Sequence, residues 1–365
     1  LYWVVPLSAG SPFGPFVNRN NAAGYFLLCL AAALAAVWWA AERSRARRET
    51  LLTPAVLATT SFAGLIVAGL LCCFSRGGVL AAFAAMVVTG AALRLTRRKL
   101  GWLIPFVLVL CTGLGLVGWV GMTGSLGSRL ATLLAPWEVS QEGLLAHWRD
   151  TLSAVPDFWR TGSGLGTYRY VYPAYQRYVE ERCFFHAENQ YLEALVEMGV
   201  LGPALILAFV GLMARSAWRL LRSQDAQAAG LGLAGIFALA GQAVAAFFDF
   251  GLYLPANFLF LALLAGIVCG EATARAARPA GQGKMAQGRR FLRGASLALL
   301  LTGVCWGAAE VRTLAVAAAA LRQSDLQTKR PSAVAVRQAI GRLEAAARQR
   351  PDDAELHDRL SELWI

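Results

Sequence analysis

Long uncharged runs alternate with short charged segments along the chain. Eight runs of 16 to 25 residues carry no charged side chain, namely 21–41, 51–75, 77–93, 101–121, 198–214, 226–248, 250–270 and 294–309. A helix needs roughly 20 apolar residues to cross a bilayer. The pattern predicts an all-α protein, a polytopic membrane helix bundle with about eight spans, rather than a large soluble protein with buried helices.

The cations are distributed in a way that is typical of membrane topology. The net charge is +12, yet 15% of the residues are charged and the mean hydropathy is +0.50, whereas a soluble domain is about 25% charged. Seventeen of the 34 Lys and Arg residues fall in four alternate loops, 42–50, 94–100, 215–225 and 271–293. The positive-inside rule assigns these loops to the cytoplasm. The charge is therefore a topology signal, and we expect no nucleic-acid partner.

Two segments are long enough to fold outside the membrane. A membrane domain 1–309 includes the outer loop 122–190, which is nearly neutral, and a tail 310–365 follows it. The tail spacing is similar to that of tetratricopeptide helices, at Ala339, Leu343, Ala346, Pro351, Leu360, Ser361 and Trp364. One and a half repeats cannot bury a solenoid face alone. We therefore expect a fragment of a longer protein, with helices before it and repeats after it.

Arg76 is the one charged residue between positions 51 and 93. An Arg near the apolar region costs up to about 2.5–3.5 kcal/mol on insertion scales. It can anchor the end of a helix by reaching for the head groups, or its guanidinium can bind a phosphate bidentately. The sequence leaves both roles open.

The segment that begins at His186 forms a second polar cluster. In a helix, His186, Asn189, Glu193 and Glu197 fall on one stripe at the top of a membrane span. A His beside a carboxylate can act as a general base, and the alternative is a hydrogen-bonded His at a helix entrance. The spacing is not that of a zinc motif, so no metal and no cofactor are expected.

A glycine-rich segment, 162–166, precedes a run of tyrosines that starts at Tyr168. It lacks the third spaced Gly of a dinucleotide fingerprint. A turn that packs closely is favoured over a phosphate cradle around Gly164. The tyrosines can stack on sugars or lie at the lipid interface.

Four ordered motifs resemble the O-antigen ligase and polymerase family of bacterial inner-membrane glycosyltransferases. They are F-V-N-R-N with Asn18 and Asn20, S-R-G at Arg76, W-R-D-T-L with Arg149, and H-A-E-N-Q-Y-L with His186 and Tyr191. Leu144 stands where family members often have an Arg. Arg149 or Arg129 is therefore the candidate for the second cationic site. Some family members also carry a tetratricopeptide region at the C-terminus.

The resemblance implies an inverting glycan transfer at the periplasmic face of the inner membrane. The donor is an undecaprenyl-pyrophosphate-linked glycan, and the acceptor hydroxyl belongs to lipid A–core, a glycan or a protein. His186 is the expected base, oriented by Glu193 or Glu197, and Arg76 with Arg149 or Arg129 binds the pyrophosphate. Asn18, Asn20, Asn189, Tyr191, Gly164 and Tyr168 are expected to line the substrate region. Metal independence is part of this expectation.

Three alternatives remain open at this point. One is a pilin-type protein O-glycosyltransferase, which uses the same donor. The second is a transporter or flippase of lipid-linked glycans without catalysis. Transporters place ionisable groups within membrane helices, whereas Gln242 and Asn257 are the main interior polar residues here. The third is a scaffold whose repeats recruit protein partners.

The topology has a direct test. In a background without the native cysteines, S140C should react with a membrane-impermeant maleimide from the periplasmic side, because it lies in the outer loop. R47C should stay unlabelled until the membrane is opened. Labelling of R47C in intact cells would contradict the orientation.

Overall fold

The computed structural model describes residues 13–50, 52–96, 138–177, 184–276, 333–350 and 354–364, with short stretches between 312 and 324. These residues fall in two compact units, Leu1–Ala277 and Arg278–Ile365. Within the described ranges the structure is helical and contains no strand. The predicted runs 101–121 and 294–309, Arg129 and the segment 277–287 lie outside them.

Six predicted spans are confirmed as helices long and apolar enough to cross a membrane. They are α1 (Arg19–Ala46), α2 (Pro54–Cys72), α3 (Arg76–Leu95), α7 (Leu201–Leu221), α8 (Ala226–Ala245) and α9 (Pro255–Ala276). Between α3 and α7 lie α4 (Glu138–Phe158), the short α5 (Tyr168–Val171) and α6 (Gln190–Met198). The tail unit contains α10 (Ala333–Gln349) and α11 (Ala354–Trp364).

The first three spans begin where the sequence supplies a side chain that accepts from the free backbone N–H groups of the first turn. Asn18 caps α1, Thr53 caps α2 and precedes a proline, and Ser75 caps α3. Basic residues occupy the last turns of α1, α3, α7 and α9, where they complement the helix dipole. These four helices therefore end in cations.

The centre of the membrane unit is formed by α1 and α8, whose apolar segments are 61% and 67% buried. The other four spans surround them and expose large apolar side chains, among them Phe62, Phe83, Leu207 and Ile267. In water such exposure would be costly, and against lipid acyl chains it is favourable. The exposure pattern therefore agrees with a multi-pass membrane protein.

Two polar side chains link α1 to its neighbours within the apolar bundle. The Gln242 amide of α8 donates to the carbonyl of Gly24 at 2.8 Å, and the Asn257 amide of α9 donates to the carbonyl of Asn21 at 3.0 Å. Hydrogen bonds of this kind connect helices where there is no water to compete. The two interior polar residues thus make structural contacts between helices.

The two ends of the bundle have different characters. At the end where α1 stops and α2 starts, Ser44 and Thr53 share a hydrogen bond of 2.9 Å. We call the opposite end, where α1 and α3 begin, the site end. There the turn after α8 contacts both α6 and the first turn of α3, because the Gln190 N–H donates to the Ala246 carbonyl at 2.9 Å and Phe248 lies against Gly77.

In the tail unit, α10 and α11 pack on each other through small and aliphatic side chains. Ala346 and Leu356 are buried in this contact, and Leu343 is fully buried with them. The helix pair agrees with the helical tail predicted from the sequence. Its assignment to tetratricopeptide repeats stays a prediction.

The packing of α3 on α1 has a test with a matched control. A Cβ at Gly78 would lie 2.6 Å from the Ala23 Cβ, whereas a Cβ at Gly90 meets nothing within 4 Å. We expect G78A to lower the stability of the purified protein by about 1–3 kcal/mol, since overpacking displaces a helix. G90A should keep or raise the thermal unfolding midpoint, because Ala is the better helix former. Equal midpoints for both variants would contradict this packing.

Candidate active site

His186 lies in the loop before α6 and is held by a carboxylate from the first turn of that helix. Its Nδ1 lies 2.8 Å from the Glu193 Oε1, and the Ala187 backbone N–H donates to the Oε2 at 2.9 Å. The carboxylate accepts, so Nδ1 carries a proton in this arrangement. Nε2 is therefore the ring nitrogen that can take up another proton.

The environment of His186 is open on one side and aromatic on the other. The side chain is 30% exposed, and Nε2 has no hydrogen-bond partner among the described residues. The ring stacks on Phe250 with centroids 4.1 Å apart, and the ring of Tyr253 lies 5.2 Å away. An acceptor group can thus approach Nε2 from the open side while the ring stays fixed.

The sequence-based prediction of one helical stripe starting at His186 is wrong in its first residues. α6 begins at Gln190, and the Asn189 side chain caps it by accepting two backbone N–H groups at 3.1 Å. Glu188 adopts a left-handed conformation with φ 52°, which turns the chain before the cap. His186 therefore approaches Glu193 from a loop and not along a helix face.

Carboxylates around His186 set the protonation equilibria of the site. Burial disfavours the charged ring, but the hydrogen bond and charge of Glu193, with the charges of Glu188 and Glu197, raise the pKa of His186 above its usual value. Burial raises the pKa of Glu188 to about 7. Burial and then the charge of Glu188 raise the pKa of Asp249. Burial therefore makes two carboxyl groups near His186 harder to ionise than they are in water.

Glu197, the second predicted orienting carboxylate, makes its hydrogen bonds to groups other than the imidazole. It is 2% exposed, and its two oxygens accept from the Tyr168 backbone N–H and the Tyr253 hydroxyl, each at 3.0 Å. Glu193 is thus the carboxylate in contact with the imidazole. Glu197 connects the loop to the segment that carries Phe250.

Two side chains of α4 fix the loop from the other side, and sequence reasoning did not single out either as a site residue. The His147 Nε2 lies 3.2 Å from the His186 carbonyl oxygen, and the Trp148 indole N–H donates to the Ala187 carbonyl at 3.1 Å. A carbonyl can only accept, so the Nε2 of His147 is protonated in this contact. Both peptide groups around the candidate base are thereby anchored.

Three residues predicted to line the substrate region make packing contacts with the surrounding helices, and their role at the substrate stays a prediction. Tyr168 is 2% exposed, and its hydroxyl lies 2.6 Å from the Thr151 Oγ1. The Tyr191 hydroxyl donates to the Ala243 carbonyl at 2.7 Å. Asn189 is the buried helix cap. All three stabilise the loop and its attachment to α8.

The glycine-rich segment packs against the last turn of α6. Ser163 and Gly164 donate their backbone N–H groups to the Val196 and Glu197 carbonyls at 2.9 and 3.0 Å. Gly162 has φ +73°, and a Cβ there would lie 2.1 Å from the Glu197 carbonyl oxygen. The described geometry agrees with a tightly packed turn.

Arg76 begins α3 beside a small cleft at the site end. The Ser75 Oγ accepts from the Gly78 N–H at 3.1 Å and thereby caps the start of α3. The cleft is lined by Asn20, Gly24, Ser75, Gly77, Gly78, Ala245, Phe248 and Asp249. Asn20 is thus at the cleft, while Asn18 caps α1 through the Asn20 N–H at 2.9 Å.

Asp249 lies in the same cleft and was not among the predicted site residues. With the Asn21 amide nitrogen facing it, both carboxylate oxygens accept hydrogen bonds, at 2.7 and 2.8 Å. Asp249 is the one charged residue between positions 226 and 270. This isolation in an apolar stretch is the signal that singled out Arg76, and it could have found Asp249 too.

The second cationic site is not assembled within the described residues. Arg149 is exposed on α4, whose neighbouring residues Asp150 and Thr151 are buried. No described contact joins it to Arg76 or His186. Within the described ranges, no three His, Cys, Asp or Glu side chains are placed to hold a metal ion.

Comparison with known proteins bears on the class of this protein. Residues 61–207 match the family model described as O-antigen ligase. The matched segment contains both the Arg76 turn and the loop with His186 and Glu193. The match supports glycan transfer as the role and multi-pass membrane insertion as the setting. No curated protein matches the chain.

The electrostatics of His186 predict its reactivity toward diethyl pyrocarbonate, which modifies the neutral imidazole. Because the pKa of His186 is raised, modification followed by mass spectrometry should reach half its maximal rate above about pH 6.5. E193Q removes the carboxylate whose hydrogen bond and charge raise the pKa of His186, so the midpoint should fall. E49Q, a charge change at the other end of α1, should leave it unchanged. Unaltered midpoints in E193Q would contradict the assigned contact.

Proposed function

We propose that this protein transfers a glycan from an undecaprenyl-pyrophosphate carrier to an acceptor hydroxyl, as an O-antigen ligase or a polysaccharide polymerase. The reaction inverts the anomeric centre and takes place at the periplasmic face of the inner membrane. The observation that carries the proposal is the pair of His186 and Glu193. It leaves Nε2 open on the same end of the bundle as the Arg76 turn.

In the proposed reaction, His186 is the general base. The acceptor hydroxyl attacks the anomeric carbon while the His186 Nε2 takes its proton. The bond from that carbon to the pyrophosphate oxygen breaks, and its electron pair leaves with the lipid pyrophosphate. The Glu193 carboxylate stabilises the imidazolium that forms, in the manner of a buried acid behind a histidine base.

The leaving group acquires negative charge, which calls for fixed positive partners. Arg76 supplies a guanidinium that can pair with phosphate oxygens in two parallel hydrogen bonds. The start of α3 adds the partial positive charge of a helix N-terminus. Both lie beside the cleft, and we assign the pyrophosphate to this position.

Transport without catalysis is the weaker alternative. A transporter would use ionisable groups inside its membrane helices. The interior polar residues Gln242 and Asn257 instead donate to carbonyls of α1. The charged groups of the described membrane unit collect at the site end and in the cationic last turns, which favours surface chemistry over passage through the bundle.

The catalytic assignment predicts loss of transfer in two single variants. H186A should reduce transfer from a purified lipid-pyrophosphate donor by about 10²–10⁴-fold, because it removes the general base. R76A should reduce it by about 10²–10³-fold, because it removes the positive charge that stabilises the leaving group. The assay follows glycan appearing on the acceptor, with lipid A–core, a glycan and a pilin-type protein offered in parallel.

The controls are matched in residue type. H357A changes a histidine of the tail, and R94A changes an arginine at the far end of the same helix as Arg76. Both should retain activity and, like R76A, show the thermal midpoint of the parent protein. H186A removes one hydrogen-bond donor to the buried Glu193, so it should unfold cooperatively at a lower midpoint. Full transfer by H186A and R76A would reject the mechanism. Lipid translocation without transfer by the parent protein would establish the transporter.

A further inference from the structure

The tip segment, residues 159–170, exposes apolar side chains next to the start of a membrane helix. Trp159 is 46% exposed, Leu165 is 73% exposed and Tyr170 is 70% exposed. In the neighbouring chain, Val200 and Leu201 are 56% and 57% exposed. The mechanism proposed above uses none of these side chains.

Backbone contacts fix the tip segment at the level where α7 begins. The Val200 N–H donates to the Trp159 carbonyl at 2.7 Å. A Cβ at Gly199 would lie 2.8 Å from the Arg160 backbone, so the backbones of these two segments are in direct contact. The Gly164 N–H donates to the Glu197 carbonyl just before α7. Trp159 and the residue before Leu165 are therefore attached to the entrance of a candidate span.

The lipid side of α7 continues from this entrance. Leu201, Leu205, Leu207 and Leu212 are each more than half exposed, and acyl chains are the solvent that suits a span with such a surface. The tip segment lies at the first turn of α7, where this lipid-facing surface begins. It is therefore at the level of the boundary between acyl chains and head groups. Tryptophan and tyrosine concentrate at that depth in membrane proteins.

Two arginines complete the interfacial composition of the tip segment. The Arg160 guanidinium lies 5.1 Å from the centroid of the Trp159 ring, and that of Arg169 lies 4.8 Å from the Tyr170 ring. No carboxylate pairs with either arginine among the described residues. Aromatic rings with cations at their edge suit the level of the lipid phosphates.

We propose that the tip segment, together with Val200 and Leu201, is an interfacial anchor that inserts Trp159 and Leu165 into the phospholipid leaflet. The partner is the lipid surface, and the anchor stands apart from the transfer reaction. Because Ser163 and Gly164 are hydrogen-bonded to α6, the anchor also holds the His186 loop at a fixed depth. A lipid-linked substrate and the candidate base are thereby kept at the same level.

Depth measurements by spin labelling test the anchor without an activity assay. The full chain, with its seven native cysteines replaced, carries one label at L165C or W159C in vesicles of phosphatidylethanolamine and phosphatidylglycerol. L207C on the exposed side of α7 is the lipid reference, and D358C in the tail is the water reference. Both tip labels should collide more often with oxygen than with a water-soluble nickel complex, as L207C does.

Two outcomes would overturn the proposal. Tip labels that match D358C in nickel accessibility would show that the segment lies in water. Strong spin–spin coupling between chains, without oxygen accessibility, would assign the patch to contact with a second copy. Because both tip positions are exposed, unfolding is not the expected result, and W159C and L165C serve as independent readings.

Discussion

The buried carboxylate of Glu193 is the constraint on which the geometry of the site end depends. A carboxylate that is 1% exposed is strongly destabilised unless hydrogen-bond donors replace its water. Both donors come from adjacent residues of one loop, the ring of His186 and the backbone of Ala187. One side chain therefore fixes the position of the loop and the orientation of the imidazole together. The candidate base cannot move without leaving a buried charge unsatisfied.

The spans of this fold were predictable because they depend on local properties of the chain. Length and apolarity decide whether a run can cross a bilayer, and six runs agree with described helices. Isolated charges in apolar surroundings were equally informative, since each needs an interaction that offsets the cost of placing it there. This argument singled out Arg76. Applied consistently, it would also have selected Asp249.

The detailed site was harder to predict because it depends on contacts between distant segments. Spacing alone placed His186 on a helix, although Asn189 is a strong capping residue and marks the true start of α6. Spacing also could not distinguish Glu193 from Glu197. What separates them is the approach of Tyr168 and Tyr253 to Glu197. His147 was missed because its role is to hold a carbonyl 39 residues away.

Negative and positive groups lie in different parts of the site end, and this arrangement suits the proposed transfer reaction. Glu188, Glu193 and Glu197 surround His186, whereas Arg76 and the start of α3 present positive charge beside the cleft. The cleft also contains the carboxyl group of Asp249, whose pKa burial raises to about 7. During transfer, a proton moves toward His186 and negative charge moves toward the pyrophosphate. Preorganised charges of opposite sign at the two ends of that movement stabilise the transition state more than the ground state. The turn through Ala246 and Phe248 contacts both regions, so it links the candidate base to the position proposed for the leaving group.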